Sequence, residues 1–383
     1  MKQARYVGAR CRTKCAWSVA CCLTLAALAA PAWGLETDQF TVPPQPLVDL
    51  APQFRQHVIA TLQEIVAEAN ARHLDLSRRA RRAPAGPWRN EYQRAADECL
   101  TDDYVAHALY RKAGHGLPEA VLEHWVRTAE FPDGPFRYDI DAGESVYGNI
   151  LQRPVTLQEL SPTINIYGVY LGTDKVGHFI QQGCEYYELF RREETSGGGE
   201  RAGYRRAVEL GKFQEKTFFG EMMVGVYSNG DLAANYAGFK FYLNLTRPIT
   251  AGREYRPPIL VRRDGRWEVN PAAGQNFLRP FFTQHLNESF NPCRYAWFMR
   301  DTVRENMRVR AGSWASFYRT DRDAEARRVV QLSTWYGEDY GHSGFEHVIT
   351  PADTCFDTDR ALLARDRLLA RRAGQRQVAS RGL

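Results

Sequence analysis

The sequence predicts a mainly α-helical fold with minor β elements, and three observations predict it. Apolar residues recur at helical spacing, as in Phe54, Val58, Leu62, Ile65, Val66 and Ala69. β-branched and aromatic runs are few: a short strand before Gly172 and a β-rich insert near 255–270. No repeat and no clear boundary divides the chain. The expectation is a signal peptide at 1–34, one mainly helical domain over 35–372 and a disordered tail at 373–383.

The leader is read from its three regions. Lys2, Arg5, Arg10, Arg12 and Lys14 are basic with no acidic residue among them, 17–30 is apolar, and Ala32-Trp33-Gly34 is a small-x-small cleavage site. The apolar run falls short of the ~20 residues a membrane span needs and ends at Pro31. A periplasmic or secreted protein follows, with no transmembrane segment after cleavage. The chain carries 50 Lys+Arg and 45 Asp+Glu, and the leader holds five of the basic residues, so the remainder is formally neutral. The basic balance therefore belongs to the leader and does not support a nucleic-acid partner. Of eight cysteines four lie in the leader, leaving Cys99, Cys184, Cys293 and Cys355 without CxxC spacing. A zinc ribbon is thus unsupported, and in an oxidising compartment Cys293 with Cys355 is the first disulfide to expect.

Taken in order, 35–48 is an extended, Pro-broken lead-in and 52–73 a helix. The basic stretch 76–89 (LSRRARRAPAGPWR) reads as a solvated loop. Helices are expected near 91–112 and 117–129, and a loop over 131–162. The run TINIYGVY at 163–170 is strand-like, and a helix begins after Gly172 and extends to Phe190, with Thr173 or Asp174 as its cap. A flexible loop at 193–201 precedes a helix at 204–219. Ser228-Asn229-Gly230-Asp231 opens another helix, which ends before Pro248. The insert turns at Asp264-Gly265, a helix follows over 295–309, the segment 332–357 is irregular, and 358–372 is a basic amphipathic helix.

The candidate chemistry lies on two of these helices. Asp174, His178, Gln181, Glu185 and Glu188 fall in one stripe ~80° wide, opposite an apolar face. On the second helix Asp231 and Asn235 share a stripe with Gly238 and Tyr242, flanked by apolar residues, while Lys240, Asn244 and Ala233 lie opposite and are taken as the solvated side. A core-facing carboxylate must be paired. Gly238 and Ala234 leave room for another backbone, so the two helices are expected to face each other across a polar pocket. Simpler readings stay open: Ser228-x-x-Asp231 resembles a capping box, and the first stripe suits an ordinary solvated face.

Two mechanisms fit a functional pocket. His178 oriented by Asp174 could exchange protons with Asp231 or Glu185 as the second group, assisted by Asn235. Alternatively Asp174, His178 and Asp231, with Glu185 as a further candidate ligand, could hold a divalent metal that activates water. HExxH and G-x-S-x-G are absent, and Cys184 lies off the stripe as a core cysteine. The segment 335–347, with Glu338, Asp339, His342, Glu346 and His347, is a candidate lid. Asn244-Leu-Thr and Asn287-Glu-Ser match glycosylation sequons, which matter only in a eukaryote.

GTDKVGHF together with YSNGDLAANYAGFKFY resembles a group of exported bacterial proteins of unassigned activity, which pair a D-K-x-G-H-F helix start with an S-x-x-D-L-A-A-N-x-x-G helix. The first motif is also similar to one in VanZ-like proteins and small envelope lipoproteins. The resemblance covers about 160–245 and implies an envelope location, with Asp174, His178, Asp231 and Asn235 in the defining pattern. Two functions are carried forward. One is a metal-dependent hydrolase acting on an envelope lipid, glycan or peptide; the other is a non-catalytic binding or structural protein with a buried polar lock between helices.

Overall fold

The computed structural model describes residues 36–356 except 117, 132–133, 151–158 and 218–219. The leader, the expected helix at 358–372 and the tail lie outside the described residues. The fold is mainly helical with small antiparallel sheets, as expected.

Helix α1 (Ala51–Arg82) buries Phe54, Val58, Leu62, Ile65 and Ala69. It runs on through much of the basic segment read as a loop, because Arg, Leu and Ala are strong helix formers. It stops at Ala83, which is extended before Pro84. Pro87 opens α2 (Pro87–Glu98), a position where its missing N–H costs nothing. The helix expected over 91–112 divides there: Thr101 caps α3 (Asp102–Leu109) by accepting from Tyr104 N at 3.2 Å. A π turn, Tyr110–Gly114, and α4 (Val121–Thr128) follow.

The strand-like run is a hairpin rather than one strand. β2 (Thr163–Ile166) pairs with β3 (Val169–Gly172), and β1 (Arg137–Tyr138) adds to the other edge of β2. Tyr167 and Gly168 turn with φ of 57° and 77°, the left-handed pair that matches strand twist. The helix expected through Phe190 is likewise two pieces, α5 (Asp174–Ile180) and α6 (Gln182–Thr195). They part at Gln181, whose side-chain amide donates to Gly114 O at 2.8 Å and Gly116 O at 3.1 Å.

α7 (Gly199–Lys216), β4 (Val226–Tyr227) and α8 (Asn229–Asn244) come next. The insert is two hairpins, β5 (Ile249–Ala251) with β6 (Glu254–Arg256) and β7 (Leu260–Arg263) with β8 (Arg266–Val269). β9 (Arg294–Tyr295) pairs with β4 and leads into α9 (Trp297–Tyr318). α10 (Arg322–Leu332), which the sequence reading does not mark, and α11 (Pro351–Thr354) end the described chain.

All of α8 is buried, so it has no solvated face. The expectation that Lys240, Asn244 and Ala233 meet water fails because other elements cover that side. Lys240 donates to Glu338 Oε2 at 3.0 Å, and Asn244 Nδ2 donates to Arg247 O at 2.9 Å. On its opposite side α8 meets α5 and α6 backbone to backbone. A Cβ at Gly183 would lie 2.7 Å from the Gly238 backbone, and one at Gly238 would overlap Phe179 O. The room foreseen at Gly238 is used in this way.

Apolar residues form two clusters. The larger surrounds α1, α5, α6 and α8; the smaller includes Tyr147, Val226, Phe290, Met299 and Trp314. The four described cysteines are free, so the Cys293–Cys355 bridge is not formed. Cys293 is sealed in the smaller cluster, while Cys355 Sγ turns to Thr354 Oγ1 at 3.7 Å. Neither sequon offers an accessible acceptor: Asn244 and Asn287 are both buried, and Asn287 Nδ2 donates to Tyr318 Oη at 3.1 Å. Among the described residues no helix is long and apolar enough to cross a membrane.

Candidate functional site

The sharp change from β3 to α5 places Asp174, Lys175 and His178 on the side of α5 that faces the start of α8. Thr173 stands at the cap position but makes no capping bond. Ser228 does cap α8, its Oγ accepting from Asp231 N at 3.0 Å. The reciprocal half of a capping box is supplied from elsewhere: Glu215 Oε2, on α7, accepts from Ser228 N at 3.1 Å. That leaves the Asp231 carboxylate free to face α5.

There it meets His178 and Lys175. His178 Nε2 lies 3.3 Å from Asp231 Oδ2, and His178 Nδ1 is 3.0 Å from Asn235 Oδ1. Asp231 and Asn235 therefore orient the imidazole, a role the sequence reading gave to Asp174. Asp174 binds Lys175 instead, Oδ2 to Nζ at 2.5 Å. The Lys175 ammonium also contacts Asp231 Oδ1 at 2.5 Å and Glu288 Oε1 at 2.7 Å, and it is fully buried. Ser228 Oγ donates to the same Glu288 oxygen at 2.7 Å. Glu288 lies between Leu286 of the larger cluster and Phe290 of the smaller, so the polar centre sits where the two meet.

More carboxylates gather here than cations. Glu36 and Glu215 are buried beside Glu288, Asp231 and Lys175, and Glu123 lies over Gly177 close to Asp174. Burial pushes Glu36 and Glu215 well above the usual carboxylate range, with neighbouring negative charge adding to it. Glu123 is pushed up to about 8 and Glu288 to about 7 by burial first. Asp174 is raised for the same reason. Asp231 goes the other way: burial opposes its charge, but His178 and Lys175 outweigh it and hold the carboxylate ionised. For Lys175 burial opposes the ammonium, and Asp174, Asp231 and Glu288 outweigh it.

Several of these oxygens remain without a hydrogen bond, namely Glu36 Oε2, Asp174 Oδ1 and Glu288 Oε2. Asp231 Oδ1 is taken by the Lys175 ammonium at 2.5 Å. One ligand atom each from Asp174, His178 and Asp231 lies within 4.8 Å of the others, a spacing that suits a divalent cation.

The rest of the first stripe is turned away by the break at Gln181. Glu185 is exposed and accepts from Gln214 Nε2 at 2.9 Å, and Glu188 lies 3.4 Å from His107 Nε2. The 335–347 segment packs on α8 through Glu338 with Lys240, and through Ser343 N, which donates to Asn229 Oδ1 at 2.8 Å. His342 is lowered to about 3 by burial and accepts from Gly344 N at 3.0 Å, while Glu346 and His347 are exposed. Cys184 is buried and its thiol is pushed up by burial, as a core cysteine should be.

The sequence reading missed Lys175, Glu288, Glu36, Glu215 and Glu123. Lys175 was in view within the DKVGHF motif, one residue from Asp174. A lysine among apolar residues at that position was the available signal. Glu288 lay inside a stretch read only as a sequon. Comparison with family models, curated proteins and solved structures finds no match for this chain.

Proposed function

We propose that this is an exported cell-envelope protein in which Asp174, His178 and Asp231 hold a divalent cation, serving hydrolysis of an envelope lipid, glycan or peptide. The observation that supports it most is the convergence of those three ligand atoms within 4.8 Å, with Asp174 Oδ1 lacking a hydrogen bond. Buried carboxylates in excess over Lys175 and His178 must take protons or a cation, and a cation answers both the charge and the unpaired oxygens. A bound cation would supply a nucleophile from water near neutral pH. Lys175 fixes the orientation of Asp174 and Asp231, and the Glu288 carboxyl, at about 7, suits proton exchange. The His178 side chain, 12 % exposed, is the edge from which substrate would approach. On this reading the described residues between 36 and 356 belong to one helical domain built around α8.

A second reading is favoured by the near-complete burial of Asp174, Lys175, Asp231 and Glu288. In it the cluster is a polar lock that sets how α5 meets α8, in a non-catalytic envelope binding or structural protein. Metal analysis and thermal melting of the purified protein, wild type against His178→Ala, separate the two. The first reading expects a bound divalent ion, melting raised by added zinc, manganese or calcium, and loss of both in the variant. A wild type with neither metal nor shift leaves the lock.

A further inference from the structure

α7, α8 and the segment at 338–339 line a cleft of about 720 Å³, within the range of about 300–1,000 Å³ that small-molecule sites occupy. Helical spacing puts Arg201, Arg205, Val208 and Lys212 in one stripe of α7, which forms one wall. Tyr236, Glu338 and Asp339 form the other. Two of the three carboxylates of the lining already have cations. Glu338 accepts from Lys240 Nζ at 3.1 and 3.0 Å and from Tyr236 Oη, and Lys240 is itself buried. Glu209 lies 3.8 Å from Arg206. Asp339 Oδ1 accepts from Gly341 N at 2.9 Å and has no cation beside it. Against this one acid stand Arg201, Arg205 and Lys212, which make no ion pair and no side-chain hydrogen bond among the described residues. The uncompensated charge of the cleft is therefore positive and lies along α7.

The Lys212 stem is held in place. A Cβ at Gly341 would meet its Cγ at 3.0 Å, so the stem lies along segment 338–341. Between the cations Tyr204 and Val208 supply a narrow apolar strip, with the Tyr204 ring 5.0 Å from Lys240 Nζ. We propose that this cleft binds an anionic saccharide, a sugar or short sugar chain carrying carboxylate or phosphate groups. Arg201, Arg205 and Lys212 take the anionic groups, Asp339 accepts from hydroxyls, and a sugar ring covers Tyr204 and Val208. The two arginines are about 6 Å apart along the helix axis and Lys212 about 10 Å further, a spacing that fits charges on successive sugars. An acyl chain would find too little apolar surface here, and no strand lines the cleft for an extended peptide to pair with. The site is separate from the polar centre. Asp231 and Asn235 of α8 turn to His178, whereas Tyr236 and Lys240 turn to Glu338. The proposal stands whether or not that centre holds a metal.

Isothermal titration calorimetry of the purified protein at low salt tests it. The probes are trigalacturonate and glucose 1,6-bisphosphate, with maltotriose as the neutral sugar and tri-glutamate as a peptide of similar charge. We expect saturable binding of an anionic sugar that weakens in salt, with maltotriose and tri-glutamate at least about tenfold weaker. Whichever anionic sugar binds more tightly tells carboxylate from phosphate. Arg205→Gln/Lys212→Gln alters only exposed side chains, so it should melt with the wild type and bind at least about tenfold more weakly. Arg206→Gln removes an arginine outside the lining and should bind as the wild type does. No binding of either anionic sugar, or equal binding by the wild type and the double variant, overturns the proposal. So does maltotriose or tri-glutamate binding as tightly as the anionic sugars. An equal loss in Arg206→Gln also overturns it, marking an unspecific attraction of anions.

Discussion

Lys175→Met tests the electrostatic account of the polar centre most directly. Met keeps most of the volume and removes the ammonium, which lies 2.5 Å from Asp174 and Asp231 and 2.7 Å from Glu288. At an effective dielectric of ~20 and a separation of ~5 Å, each pair of carboxylates left facing one another repels by about 3 kcal/mol. Proton uptake limits the total, and breaking a buried ion pair by removing one partner costs about 3–5 kcal/mol. That is a large share of the ~5–15 kcal/mol a folded protein has in reserve. The penalty must depend on pH in one direction. Without Lys175 these carboxyls have folded values raised above the unfolded ~3.9–4.3, so stability is lost as pH rises from that unfolded range towards the raised folded values and regained as pH falls. Urea unfolding followed by tryptophan fluorescence at about pH 7.5 and about pH 5 reads both effects. Adding Glu288→Gln to Lys175→Met should restore part of the loss, because one of the repelling charges is gone. A loss under about 1 kcal/mol at the higher pH, or the same loss at both, would show that Lys175 does not neutralise this cluster.

Two further changes probe the scaffold. Glu123, pushed up to about 8 by burial, keeps a proton in the folded protein that the unfolded chain releases above ~4.3. Its contribution therefore falls as pH rises from ~4.3 towards 8, and Glu123→Gln should gain on the wild type across that window by a few kcal/mol at most. Urea midpoints of the two proteins that run parallel with pH would contradict this. Gly238→Ala puts a methyl group onto Phe179 O, a backbone atom that cannot turn aside, and should cost at least about 1–3 kcal/mol in urea unfolding. A neutral result would mean that α5 and α8 are not in backbone contact.

Much of this architecture is legible one segment at a time. The apolar stripe of α1, the Asp264-Gly265 turn and the Ser228 cap are local, since each depends on residues within a few positions of one another. Errors arise where a distant partner decides the outcome. Gln181 interrupts a continuous helical pattern because Gly114 and Gly116 offer carbonyls that no helical wheel contains. Lys240 looks solvated on the wheel, yet it is buried because Glu338 and Tyr204, roughly 100 and 36 positions away, supply its bonds.

The polar centre divides in the same way. That Asp174, His178, Asp231 and Asn235 belong together could be read from two helical stripes and a rule about unpaired buried charge. Which groups bind which could not. His178 goes to Asp231 and Asn235, Asp174 goes to Lys175, and the balance is set by Glu36, Glu215 and Glu288, drawn from the segment before α1, from α7 and from the segment before β9. Helical periodicity is a short-range property of one segment and reports which side a residue occupies. Ionisation, pairing and metal-ligand reach depend on distances of a few ångströms between segments far apart in sequence, and only the packed chain brings those to a value.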